Sequence, residues 1–220
     1  MRAFPIYASS WKALALLASC GGGLILLDQF HSIRTYLHWF EEHGLIETTS
    51  ALFWLLAAIT PWRYGRGPNR RLVALFSALF LCFALREYDM HKMFTSHSML
   101  KLTFYTRYGW HTEQWVSLPV ALLAIMVVVA SVVVLLRYWW RGGWREASGQ
   151  MLLIGCASMA FSKVLDRLPS VLRKDYQLAL NEGLREMLWV MEEGLEMLTP
   201  LLFVWAWRLL PNLLSTAPTR

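Results

Sequence analysis

Apolar residues run along this chain in long blocks broken by short polar connections, without the strict alternation of a half-buried strand. Six blocks approach the roughly 20 residues that a helix needs to cross about 30 Å of hydrocarbon. They cover residues 11–30, 45–62, 72–91, 115–136, 150–168 and 188–210. The pattern predicts an all-α, polytopic transmembrane helical bundle of about six spanning helices, with residues 1–220 forming a single integral membrane domain. Pro61 and the basic stretch Arg63 to Arg71 close the second block, and Arg137-Tyr138-Trp139-Trp140-Arg141 closes the fourth.

Composition agrees with a bilayer as solvent: 56% of the residues are hydrophobic and only 16% charged, far from an average soluble domain. The net charge of +6 does not suggest nucleic acid, because the arginines are scattered among tryptophans at block ends rather than gathered into one stripe. Trp62, Trp110, Trp115, Trp139, Trp140 and Trp144 all fall at block boundaries, where an indole has one edge in water and one in hydrocarbon. The short connections after the second and fourth blocks are the most basic, with Arg63, Arg66, Arg70 and Arg71, then Arg137, Arg141 and Arg145. The positive-inside rule makes them cytoplasmic, and an even number of spans puts both termini there too. The expected location is a bacterial cytoplasmic (inner) membrane, with membrane lipids as partners and a membrane protein or a second copy as further candidates.

Cys20, Cys82 and Cys156 lie within apolar blocks, so no disulfide or thiolate framework is expected. Leu17-Ala18-Ser19-Cys20 has the form of a lipoprotein cleavage box. The reading taken is an uncleaved first helix in which Gly21, Gly22 and Gly23 allow close helix contact.

The remaining charges are lopsided under that topology. Of 15 Asp and Glu only Glu146 falls on the cytoplasmic side, and all six histidines lie opposite. A rise of about 1.5 Å per residue places each charge by counting from its helix's cytoplasmic end. Glu47, Glu87, Lys163, Asp166, Glu193 and Glu196 then fall about 18 to 24 Å up four different helices, at one level inside the extracytoplasmic edge. An unpaired carboxylate there costs at least a few kcal/mol. His43 with Glu47, Glu87 with His91, and Glu192 with Glu196 are each four apart and share a face if their helices are unbroken. If the last block continues upstream as one helix, Glu182, Glu186, Glu192, Glu193 and Glu196 form one acidic stripe.

Three chemistries fit this layer. Asp89, His91, Glu47 and Glu196 supply the oxygen and imidazole donors of a site for a divalent metal such as zinc, iron or manganese. Glu87 or Glu193 would then serve as base, with Arg86 or Lys163 holding a phosphate or developing oxyanion, in a hydrolase or transferase acting on a lipid or lipid-linked substrate. Alternatively the layer belongs to a non-enzymatic membrane subunit or assembly factor, where it docks a partner or is a structural ion-pair belt with Arg86, Lys163 and Arg167 neutralising Glu47, Glu87, Asp166 and Glu193. An ion or proton-coupled transporter is the third reading. It is disfavoured because the second and third blocks become apolar below the charges.

The Asp89-x-His91 pair resembles, over that one short segment, the alkaline ceramidase and progestin-receptor-like membrane metal hydrolases. That group draws further histidines from a late helix, whereas no histidine follows His111 in this chain. The family is therefore not assigned.

Overall fold

The computed structural model describes residues 7–30, 39, 44–64, 70–90, 102–107 and 112–210. Among these residues the chain is all-helical, with seven α-helices and no strand. They are α1 (Ala8–Phe30), α2 (Leu45–Tyr64), α3 (Arg70–Glu87), the short α4 (Leu102–Arg107), α5 (Thr112–Trp140), α6 (Ala147–Asp175) and α7 (Glu182–Arg208). A single 3-10 turn, Gly143–Arg145, joins α5 to α6.

Two of these helices are long and apolar enough to cross a membrane by length and composition: α2, with mean hydropathy 1.3, and α5, with 3.0. On α6, Ser148, Met151, Gly155, Ser158, Ser162 and Leu165 recur at alternating steps of three and four and are all buried. Such a seam of mostly small side chains lets two helix backbones approach closely. The partner helix is α7, which packs along the length of α6. Gly155 illustrates the fit, since a Cβ there would sit 3.3 Å from the Phe203 ring.

α2 joins α3 on one side and α7 on the other. Its buried face is Ser50, Trp54, Ala57 and Pro61, again at helical spacing. Trp54 is the hub of an aromatic core, with ring centroids 4.6 Å from Phe83 and 5.9 Å from both Phe80 and Phe203. Phe76 and Trp207 continue it toward the basic ends of α3 and α7 at 5.3 Å. α1 lies across α6 and α7, tied by Ser10 Oγ donating to Gln150 Oε1 at 2.7 Å. The most apolar helix, α5, lies at the periphery of the bundle. Only 11% of its spanning window is buried, and it touches α3 and the 3-10 turn.

Boundaries differ from the apolar blocks in instructive ways. α6 and α7 extend well past them, because charged turns at a helix end remain helical when water solvates them. α7 begins at Glu182, with Asn181 Oδ1 accepting from the Leu184 amide at 2.8 Å, so the acidic stripe does lie on one continuous helix. Pro61 does not stop α2, which runs to Tyr64. α3, by contrast, ends at Glu87 rather than His91. Asp89 takes a left-handed backbone (φ 50°) that Asp tolerates better than most residues, and its amide closes onto Arg86 O at 3.0 Å. α4 has no counterpart among the blocks, because six residues carry too little periodicity to read.

A buried charge cluster at one level of the bundle

The charged level read from the sequence is occupied by a compact cluster drawn from four helices. α3 ends there, and its last turn delivers Arg86 and Glu87; α6 delivers Ser162 and Lys163, and α7 delivers Glu192 and Glu196. α2 contributes Ser50.

Glu196 is the centre. Its Oε1 pairs directly with Lys163 Nζ and accepts from Ser162 Oγ at 3.2 Å, while its Oε2 lies 3.9 Å from Arg86 Nη2. Lys163 also donates to Glu192 Oε1 at 3.3 Å, and Arg86 Nη1 sits 3.7 Å from Glu87 Oε1. Ser50 Oγ spans α2 to both neighbours through long contacts, 3.5 Å to Glu87 Oε2 and 3.4 Å to the Glu196 carbonyl oxygen. Beneath, Thr199 Oγ1 bonds Leu195 O at 2.7 Å and Ser158 Oγ at 3.0 Å, so the buried hydroxyls of the seam are satisfied. Arg86, Glu87, Ser162, Lys163, Glu196 and Thr199 line, with Trp54 and Met159, a partly open cavity of about 20 Å³. That is room for about one water molecule.

The carboxylates are far more buried than their cations. Glu87, Glu192 and Glu196 side chains are 8%, 13% and 12% exposed, whereas Arg86 and Lys163 are 40% and 43% exposed.

Against the sequence expectations, the structure brings Arg86, Glu87, Lys163 and Glu196 into one site. Glu193 is half-buried on the same helix, within electrostatic range of Glu196, Glu192 and Glu87, but makes no ion pair among the described residues. Glu47 stays within range of Glu87, yet the α2 group in the cluster is Ser50, three residues further on. Asp166 pairs with Arg167 at 3.5 Å on an exposed surface, within electrostatic range of Glu192 but with no ion pair to the cluster. Asp89 is separated from Glu87 by the end of α3. His91 lies outside the described residues, as do the other five histidines. Among the described residues no three of His, Cys, Asp or Glu are grouped to hold a metal ion.

Ser50, Ser162 and Glu192 were not among the residues singled out for the site. Their signal is faint but physical: each lies three or four residues from a charge inside its helix, Ser50 from Glu47, Ser162 from Asp166 and Glu192 from Glu196, and so shares a face with it. No family model matches the chain, and no curated protein or solved structure matches it either.

Proposed function

We propose that this chain is a multi-pass membrane protein of about six spans, seated in a bacterial cytoplasmic membrane with its basic helix ends inside. In it, the Arg86–Glu87–Lys163–Glu192–Glu196 cluster is an ion-pair lock, not a reaction centre. The chain then acts as a non-enzymatic membrane subunit or assembly factor, whose helices are held in register near the extracytoplasmic face. The observation that carries this reading is the shared Glu196 carboxylate, which both cations contact, around a space of only about 20 Å³. A site filled by its own counter-ions leaves no volume for a substrate group.

The membrane placement is supported by α5, whose Trp115, Val116, Leu123 and Met126 are each about 60% exposed, an apolar surface too extensive for water. The basic ends also gather on one side. Arg208 at the end of α7 stacks over Tyr64 at the end of α2, 5.3 Å from the ring centroid.

A second reading keeps the lipid-directed hydrolase or transferase. It is favoured by the exposure of Arg86 and Lys163, which would let a phosphate approach from the open side of the cluster.

A double-mutant cycle on Lys163→Met and Glu196→Gln, read by thermal unfolding in detergent, separates the two. The lock predicts that the double variant is more stable than the sum of the single losses allows. Additive losses would remove it in favour of the second reading.

A further inference from the structure

α5 leans on α3 and on the 3-10 turn and bonds the start of α6 through Tyr138 and Trp139, but along the rest of its length a cavity of about 230 Å³ lies between it and α6 and α7. At the basic end this slot is bounded by Leu72, Tyr138 and Leu210, and at the other end by Phe83, Val128 and Met159. Eleven steps along α3, from Leu72 to Phe83, and ten along α5, from Val128 to Tyr138, make it about 15 to 17 Å long, parallel to the helices. That is half of a hydrocarbon core about 30 Å thick, the depth of one leaflet. Met159 also floors the charge cluster, so the slot stops just beneath the charged level.

The lining asks for an apolar occupant. Its hydroxyls are already engaged with protein: Ser131 Oγ donates to Val127 O at 2.8 Å, and Tyr138 Oη lies 2.9 Å from Ser148 Oγ and 3.1 Å from Glu146 Oε2. A dry cavity of this size is more than large enough to hold a small hydrocarbon.

The basic end asks for an anion. Arg137 and Arg141 are both exposed, and the Arg141 amide still bonds Arg137 O at 3.2 Å; Arg141 follows Tyr138 by three residues and shares its face, while Arg137 comes one residue before Tyr138 at the same end of α5. Arg71, exposed, precedes Leu72 on the opposite wall. None of the three makes an ion pair among the described residues. Trp140, 86% exposed, stands next to Arg141 at the height where headgroups meet hydrocarbon.

We infer that the slot between α5 and the α3–α6–α7 surface holds one acyl chain of an anionic phospholipid, whose phosphate is bound at the basic end by Arg137 and Arg141. The inference rests on the membrane reading above, and it commits to a lipid of the leaflet that meets the basic helix ends. Apolar length, leaflet depth and charge sign coincide at one place.

The test uses the full chain reconstituted in nanodiscs of equimolar phosphatidylglycerol and phosphatidylcholine, then released into mild detergent for native mass spectrometry. The expected result is a retained lipid with phosphatidylglycerol favoured by about tenfold, and near parity in R137Q/R141Q. Val132→Phe, which narrows the slot, should lose the retained lipid, while Val129→Phe, outside the lining, should keep it. Equal retention of the two lipids by the unmodified chain would overturn the inference, and so would retention unchanged by Val132→Phe at an unchanged melting temperature. If Val132→Phe does not fold, R137Q/R141Q decides alone, and an unchanged preference overturns the inference. A chain extracted from its host membranes by alkaline carbonate would overturn the membrane reading as well. A carbonate-resistant chain that retains no lipid would overturn the slot alone.

Discussion

Lys163 of α6 and Glu196 of α7 pair directly through Nζ and Oε1, across the contact between the two most extensively packed helices. Along the seam, the place of Phe203 against Gly155 already favours one register. The ion pair favours the same register, because any slip leaves a carboxylate without its counter-charge. Lys163→Met should therefore cost about 1 to 3 kcal/mol, less than the 3 to 5 kcal/mol of a fully buried pair because its side chain is 43% exposed. Adding Glu196→Gln should return part of that loss in a detergent melt.

Charge count makes the cluster asymmetric. Three carboxylates, Glu87, Glu192 and Glu196, meet two cations, Arg86 and Lys163. Glu87→Gln keeps the size of the side chain and brings the set to two against two, so its cost should stay within about 1 kcal/mol. Arg86→Gln leaves three carboxylates facing one cation and should be clearly worse. Melting temperatures of the two variants side by side check this, and a more damaging Glu87→Gln would contradict it.

The turn between α5 and α6 depends on two glycines. A Cβ on Gly149 would collide with the Gly143 carbonyl, and one on Gly143 would enter the Tyr138 ring. Gly149→Ala should cost about 3 kcal/mol or block folding, because the obstacle is backbone that cannot rotate away. Gly22→Ala, where a Cβ would meet nothing within 4 Å, should be tolerated. Expression and melting of the pair form the measurement, and equal behaviour would mean the turn relaxes.

Crossing can be tested on α6. Its 29 residues extend about 43 Å, longer than a hydrocarbon core. In a variant lacking Cys20, Cys82 and Cys156, a single cysteine at Glu146 should react with an impermeant maleimide only after the basic side is opened. A cysteine at Tyr176 should react in intact cells. Labelling of both from the same side would remove the span.

The chain alone determined that the protein is helical and at what height its charges fall. A helix advances a fixed distance per residue, so counting along apolar blocks located Glu87, Lys163 and Glu196 at a common level before any packing was known. It did not determine which way those residues turn. Lys163 and Asp166 lie three apart and counted equally, yet one enters the cluster and the other pairs outward with Arg167. Glu47 looked like the charge of α2, but Ser50 is the group that reaches Glu87. The Glu87–His91 face assumed an unbroken helix, and α3 ends at Glu87. Rotation about a helix axis and choice of neighbour follow from how side chains interlock across helices, here Trp54 among the phenylalanines and the small seam of α6 against α7. That information resides in pairs of distant residues, so only the tertiary structure decided it.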